Sequence, residues 1–150
     1  MRRRDRQIRL CAALLALNLC FIWGNSLLPA ELSRAFSSWV MELLTGIPAG
    51  DPLHSGGTGY LRKLAHFSEF AVLGLLLSWL YRLRKGKSWK PLAWGIAAAC
   101  IDETIQMFVP GRGPGLMDVG IDACGVLTGM LVLPFGYFLW RRNQKTQYGG

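Results

Sequence analysis

Three short runs hold the side chains of this chain that could do chemistry. In RKLAHFSEF, residues 62–70, Lys63, His66 and Glu69 follow one another at intervals of three. In DETIQ, residues 102–106, Asp102 and Glu103 stand side by side ahead of Gln106. The loop PGRGPG, residues 110–115, carries Arg112, and Asp118 and Asp122 follow at a spacing of four. Carboxylates close to a histidine are the material of general acid–base catalysis. An arginine beside them suits an anion, phosphate above all. The reading is therefore that Glu69, Asp102 or Glu103 acts as a base, with His66 as proton partner. Lys63, Gln106, Arg112, Asp118 and Asp122 are expected to contact substrate.

The elements that must position these groups are greasy. Hydrophobic residues make up 51% of the 150, the net charge is +8 and the mean hydropathy is +0.26. Such a chain is too apolar for a soluble basic protein. Its cations come in short blocks beside apolar runs, and no basic face interleaves with stacking aromatics, which argues against nucleic acid. Four segments are long enough to span a bilayer: about 8–28, 61–81, 91–109 and 118–140. At ~1.5 Å per residue, about 20 residues cross a ~30 Å hydrocarbon core. The third segment is the shortest and most polar. The first reads as a retained span, because leucine occupies the small-residue position before the best cleavage site. Leucine also precedes Cys20 in LALNLC, which spoils a lipoprotein signal. Cys11, Cys20, Cys100 and Cys124 lie within spans without CxxC spacing and read as buried, inert thiols.

Lysine and arginine give an orientation. The amino-terminal MRRRDRQIR carries five Arg, the link RLRKGKSWK five Lys or Arg, and the tail after Trp140 three. Arg34, Arg62, Lys63 and Arg112 are left for the opposite side. This asymmetry places both termini in the cytoplasm. Trp79, Trp89, Trp94 and Trp140 then fall near the inner interface and Trp23 near the outer one. In PAELSRAFSSWVMELLTG, Leu32, Phe36, Trp39, Val40 and Leu43 mark one helical face. That helix is expected either to lie on the outer leaflet or to pack its apolar face on the spans. HSGGTG, residues 54–59, reads as a flexible connector. The fold class expected is an all-α membrane protein of one domain, residues 1–150. It has four transmembrane helices and an amphipathic helix in the first extracytoplasmic loop.

This topology brings the polar residues to one level. Lys63, His66 and Glu69 fall in the outer half of the second span, and Asp102, Glu103 and Gln106 in the outer half of the third. Asp118 opens the fourth span with Asp122 about one turn (~6 Å) deeper, and Asn25 and Ser26 close the first. An Asp facing lipid at mid-span costs ~2.5–3.5 kcal/mol, so the polar stripes should face one another or a wet cleft. Asp118 also suits an N-cap, Asp122 the helix dipole, and Arg62 a snorkelling position. Glu69, Asp102 and Glu103 sit inside helices, where capping does not apply to them. Gly125 and Gly129 form a small-residue face for close helix packing. Carboxylates outnumber cations at this level, so either a carboxyl keeps its proton or a cation joins. A divalent cation, Mg²⁺, Ca²⁺, Mn²⁺ or with His66 Zn²⁺, is compatible with the set. No spacing is a metal signature, however, and no metal ligand or cofactor is assigned.

At these residues the sequence resembles the VanZ-like family of small bacterial membrane proteins. The resemblance rests on RKLAHFSEFAVLGLLL (62–77), IDETIQMFVPGRGPGLMDVGIDACGVLTG (101–129) and, more weakly, WGNSLLP (23–29), together about a third of the chain. It implies a bacterial cytoplasmic membrane location and carries over Lys63, His66, Glu69, Asp102, Glu103, Gln106, Arg112 and Asp118 as motif positions. Asp122 departs from the pattern, where the family more often shows Asn. The family's name-giving member is associated with resistance to teicoplanin-type lipoglycopeptides, with no established reaction.

Three functions fit these readings. The first is a protein whose outward-facing cleft binds or modifies a lipid-linked cell-envelope component, with membrane lipids as its other partners. The second is a non-catalytic protein that masks an antibiotic's membrane site, which needs the cleft but no base. The third is a small transporter or proton-coupled channel, which the apolar inner halves of the spans disfavour.

Overall fold

The computed structural model describes residues 3–113 and 115–148, with side chains described as far as Tyr137. Among the described residues the chain is all-helical, with no strand: α1 (Arg3–Ser26), α2 (Ala30–Thr45), α3 (Pro52–Leu83), α4 (Lys90–Met107) and α5 (Leu116–Tyr148). By length and composition α1, α3 and the described part of α5 can each cross a membrane. The 18 residues of α4 are not among these, since they carry Lys90, Asp102, Glu103 and Gln106. At ~27 Å, α4 is also slightly shorter than the ~30 Å hydrocarbon core.

Glycines set the packing of α3 on α5. A Cβ on Gly125 would run into the carbonyl oxygen of Phe67, one on Gly129 into that of Ala71, and one on Gly74 into that of Val126. The two backbones therefore lie in contact, as the small-residue spacing on α5 predicts. Against this pair α1 contributes Cys11, Leu15 and Ile22 to the core, and α4 contributes Ala98 and Ala99. Phe70, Leu73, Leu76, Leu77 and Val126 fill the middle. The outer surface stays apolar, with Leu17, Phe21, Leu131 and Phe135 exposed.

α3 is longer than expected, and HSGGTG is helical rather than a connector. Local capping and a tertiary clamp outweigh the poor propensity of its glycines. Asp51 accepts a hydrogen bond from the Leu53 N–H at 2.8 Å, and Pro52 fits the first helical position. His54 is buried and bonds through its two ring nitrogens to the Ser38 hydroxyl and the Ile47 carbonyl, each at 2.7 Å. The amino-terminal part of α3 is thus pinned to α2. At ~48 Å for 32 residues, α3 extends well beyond a ~30 Å core.

α2 meets α3 through Ser38 and Met41, the latter lying over Gly57. Apart from the half-buried Val40, its apolar face does not pack on the spans. Leu32, Phe36, Trp39 and Leu43 are each more than half exposed, which leaves the face free for lipid. The helix ends at Gly46, whose left-handed φ of 70° lets its N–H reach the Glu42 carbonyl at 2.8 Å.

The cysteine expectation is met only in part. Cys11 is buried and donates to the Leu76 carbonyl at 3.3 Å, but Cys20, Cys100 and Cys124 are exposed. They face the outside of the bundle, where small apolar side chains suit lipid. Trp23 packs toward α4, its indole N–H 3.5 Å from the Ala98 carbonyl oxygen. The Trp140 side chain and the tail cations lie outside the described side chains.

Candidate functional site

At one end of the bundle meet the carboxyl ends of α1 and α4, the middle of α3 and the start of α5. The Ala30 N–H approaches the Pro110 carbonyl at 3.4 Å, and the Arg112 guanidinium donates to the Asn25 carbonyl at 3.1 Å. The loop after α4 is thereby tied to the turn after α1. Arg4 donates to the Leu83 carbonyl at 2.9 Å at the opposite end, which holds the basic residues around Arg82–Lys90.

The polar residues form two layers. The inner layer is His66 from α3, Asp102, Glu103 and Gln106 from α4, and Asp122 from α5, all buried together with Ser26. Asp102 and Asp122 have no exposure at all. Gln106 donates to the Asp102 carboxylate at 2.8 Å and approaches the Ser26 hydroxyl at 3.4 Å. The His66 Nδ1 lies 3.9 Å from Asp102 Oδ2 and 3.8 Å from Asp122 Oδ1, too far for a hydrogen bond to either. Both Asp122 oxygens, Asp102 Oδ1 and His66 Nδ1 are buried without a hydrogen-bond partner.

The outer layer lines a groove of ≈ 560 Å³ between α1, α2 and α3. Its walls are mostly apolar, among them Phe21, Leu28, Phe36, Val40 and Leu64. Its polar lining includes Arg62, His66, Glu69 and Arg112. Asn25 donates to Glu69 Oε1 at 3.1 Å, while Oε2 is buried and unpartnered. His66 belongs to both layers and joins the groove to the carboxylates behind it. Burial, and next the charge of Arg62, lower the pKa of Arg112, with Asp102, Glu103 and Glu69 acting in the opposite direction. A guanidinium stays charged through such a shift.

The placement sorts the candidate residues. His66, Glu69 and Arg112 line the groove, whereas Asp102, Gln106 and Asp122 lie behind it. Glu103 spends one oxygen on structure: its Oε2 accepts the Gly115 N–H at 2.8 Å. A carboxylate inside α4 thus caps the start of α5 from outside that helix, which reading α4 alone does not reveal. Asp118 is not the N-cap, because α5 begins at Leu116. It is the third helical residue, and its carboxylate folds back toward Gly115. Lys63 stays apart. It is exposed, with its ammonium 4.0 Å from the Met117 sulfur, because one step of three from His66 turns it off the buried stripe. Arg62, expected to snorkel, is exposed and also lines the groove. His54 and Ser38 form a buried contact that no motif spacing signals.

None of the curated proteins and none of the solved structures matches the chain. The VanZ/LLP1 family model matches residues 11–141 and so covers every element that builds the two polar layers. Helices apolar enough to span a membrane go with that match, and this membrane protein belongs to the VanZ/LLP1 family.

Proposed function

We propose that this single VanZ-like unit crosses a bacterial cytoplasmic membrane four times, with both termini inside, and binds an anionic, lipid-linked envelope component from the outer leaflet. The basic end around Arg4 and Arg82–Lys90 then faces the cytoplasm, in keeping with the positive-inside rule. In this reading α4 is the fourth crossing element. Its polar carboxyl end is covered by α1, α3 and α5, so Asp102 and Glu103 need not meet lipid.

The observation that carries the reading is the groove. Its ≈ 560 Å³ volume falls within the usual range for small-molecule sites, about 300–1,000 Å³. Apolar walls suit a hydrocarbon chain, and Arg112 with Arg62 suits a phosphate or similar head group. α2 supplies one wall through Phe36 and Val40 while its exposed stripe rests in the leaflet. The buried Leu73, Leu77 and Val126 fill the bundle below the carboxylates, which disfavours a proton or ion path through one chain.

If the protein also acts chemically on its ligand, the base is Glu69. Of the three acidic residues considered for that role, it is the one that lines the groove. Its unpartnered Oε2 can take a proton that His66 relays. Asn25 orients it through Oε1.

A lipoglycopeptide acts at the same leaflet, and protection against teicoplanin is the phenotype this reading predicts. The test is expression in a sensitive Gram-positive host, with membrane levels matched by immunoblot. The wild-type chain should raise the inhibitory concentration of teicoplanin and leave vancomycin nearly unchanged. Glu69→Gln should lose protection if proton transfer is required, and keep it if the protein only masks a site. No protection by the wild type would remove the antibiotic from the proposal.

A further inference from the structure

We propose that His66, Asp102 and Asp122 hold a divalent transition-metal ion, of the Mn²⁺ or Zn²⁺ class, between three helices at the polar end of the bundle. The three side chains come from α3, α4 and α5, and one ligand atom from each lies within 4.8 Å of the others. An independent observation points into the same space. Asp122 is completely buried, and neither of its oxygens has a partner. An unmet buried polar group costs ~1–3 kcal/mol, more when charged, and native proteins rarely leave both oxygens of one carboxylate unmet.

The charges require something more. Among the described residues, His66 is the one ion-pairing group within 4.0 Å of Asp102 or Asp122. Removing an ion from water costs several kcal/mol even after relaxation, so two adjacent buried carboxylates need either a retained proton or positive charge between them. An imidazolium donating to a carboxylate would close to ~2.7–2.9 Å. His66 Nδ1 instead stands nearly equidistant from the two carboxylates, 3.9 and 3.8 Å away. Ligands bonded at ~2.1 Å to a tetrahedral ion are roughly 3.4 Å apart, so the two His66–carboxylate distances would each shorten by a few tenths of an ångström.

The donor set selects the ion. Ca²⁺ takes six to eight oxygen ligands, and Mg²⁺ keeps most of its waters. One imidazole nitrogen and two carboxylates suit Mn²⁺ or Zn²⁺ and leave coordination positions open. Gln106, which donates to Asp102 and reaches Ser26, is placed to orient that carboxylate from outside the coordination shell. The inference does not depend on what fills the groove, since these carboxylates lie behind it.

The test uses the full chain purified in detergent, stripped with a chelator and titrated with Mn²⁺ or Zn²⁺. Bound ion is read by elemental analysis after dialysis and by the Mn²⁺ paramagnetic signal. The expected result is one ion per chain and a metal-dependent rise in unfolding temperature. Asp122→Asn removes a buried charge and should fold without metal, yet bind the ion at least ~10–100-fold more weakly. Glu42→Gln, an exposed change on α2 away from the triad, should bind as the wild type does. A spin-echo measurement on Mn²⁺-loaded wild type should detect a histidine nitrogen, and this needs no variant. The proposal is overturned if stripped wild type takes up no stoichiometric ion, if Asp122→Asn binds equally well, or if bound Mn²⁺ shows no nitrogen ligand.

Discussion

Replacing Gly129 by leucine is expected to destabilise the folded protein markedly, whereas the same change at Gly120 is expected to be tolerated. Both glycines lie inside α5, and leucine is the better helix former at each, so local propensity favours both variants equally. Packing separates them. A Cβ at position 129 collides with the Ala71 carbonyl and comes within 2.7 Å of the Leu75 nitrogen, whereas one at 120 meets nothing within 4 Å. Backbone cannot swing aside as a side-chain tip can, so α3 and α5 would have to separate. Overpacking typically costs ~1–3 kcal/mol and this backbone clash belongs at or above that range. At ~1.4 kcal/mol per decade, the folded-to-unfolded ratio should fall about tenfold or more. The check is the monodisperse fraction and thermal stability of both variants in detergent. Wild-type behaviour of Gly129→Leu would mean that the helices are not in contact there.

This packing bears on the site as well. Asp122, Gly125 and Gly129 are spaced three and four apart, on one stripe of α5 that faces α3. A side chain that wedges the helices apart would also draw Asp122 away from His66.

The second large effect is expected at Arg112. Arg112→Ala should weaken binding of a long-chain alkyl phosphate roughly 10–100-fold, the effect of removing a charge-assisted contact worth ~1.5–3 kcal/mol. Arg112→Lys should recover only part of it, because an ammonium cannot reproduce the planar fork that pairs with two phosphate oxygens. Lys63→Ala should change the affinity little, since Lys63 is exposed beside Met117 and does not line the groove. Equilibrium binding in detergent at two salt concentrations checks all three. Equal losses for Arg112→Ala and Lys63→Ala would mean that general surface charge, not the groove, attracts the anion.

Where the sequence was readable, two periodicities and one cost made it so. The α2 stripe followed from apolar spacing, and the glycine face on α5 from steric size. The burial of His66, Asp102 and Asp122 followed from the expense of placing polar groups against lipid. What escaped depended on contacts between distant residues. The amino-terminal extension of α3 rests on His54 meeting Ser38 and Ile47, and no local propensity encodes those bonds. Glu103 looked free inside its own helix because Gly115, whose N–H it accepts, lies in the next loop. Lys63 shares an interval of three with His66 and Glu69, but each such step turns about 60° around the helix, and the turn from His66 carries Lys63 out of the groove. The three exposed cysteines show the reverse: in a membrane protein an apolar side chain has no reason to be inside.

The central claim is that an anionic amphiphile occupies the groove between α1, α2 and α3. Its most direct test is photolabelling of the wild-type chain with an alkyl phosphate carrying a diazirine in its chain, followed by peptide mass spectrometry. The account predicts label concentrated around Phe21, Phe36, Val40 and Leu64 and displaced by excess unlabelled alkyl phosphate. Label spread over the exposed outer face, around Leu131 and Phe135, and indifferent to competitor would contradict it.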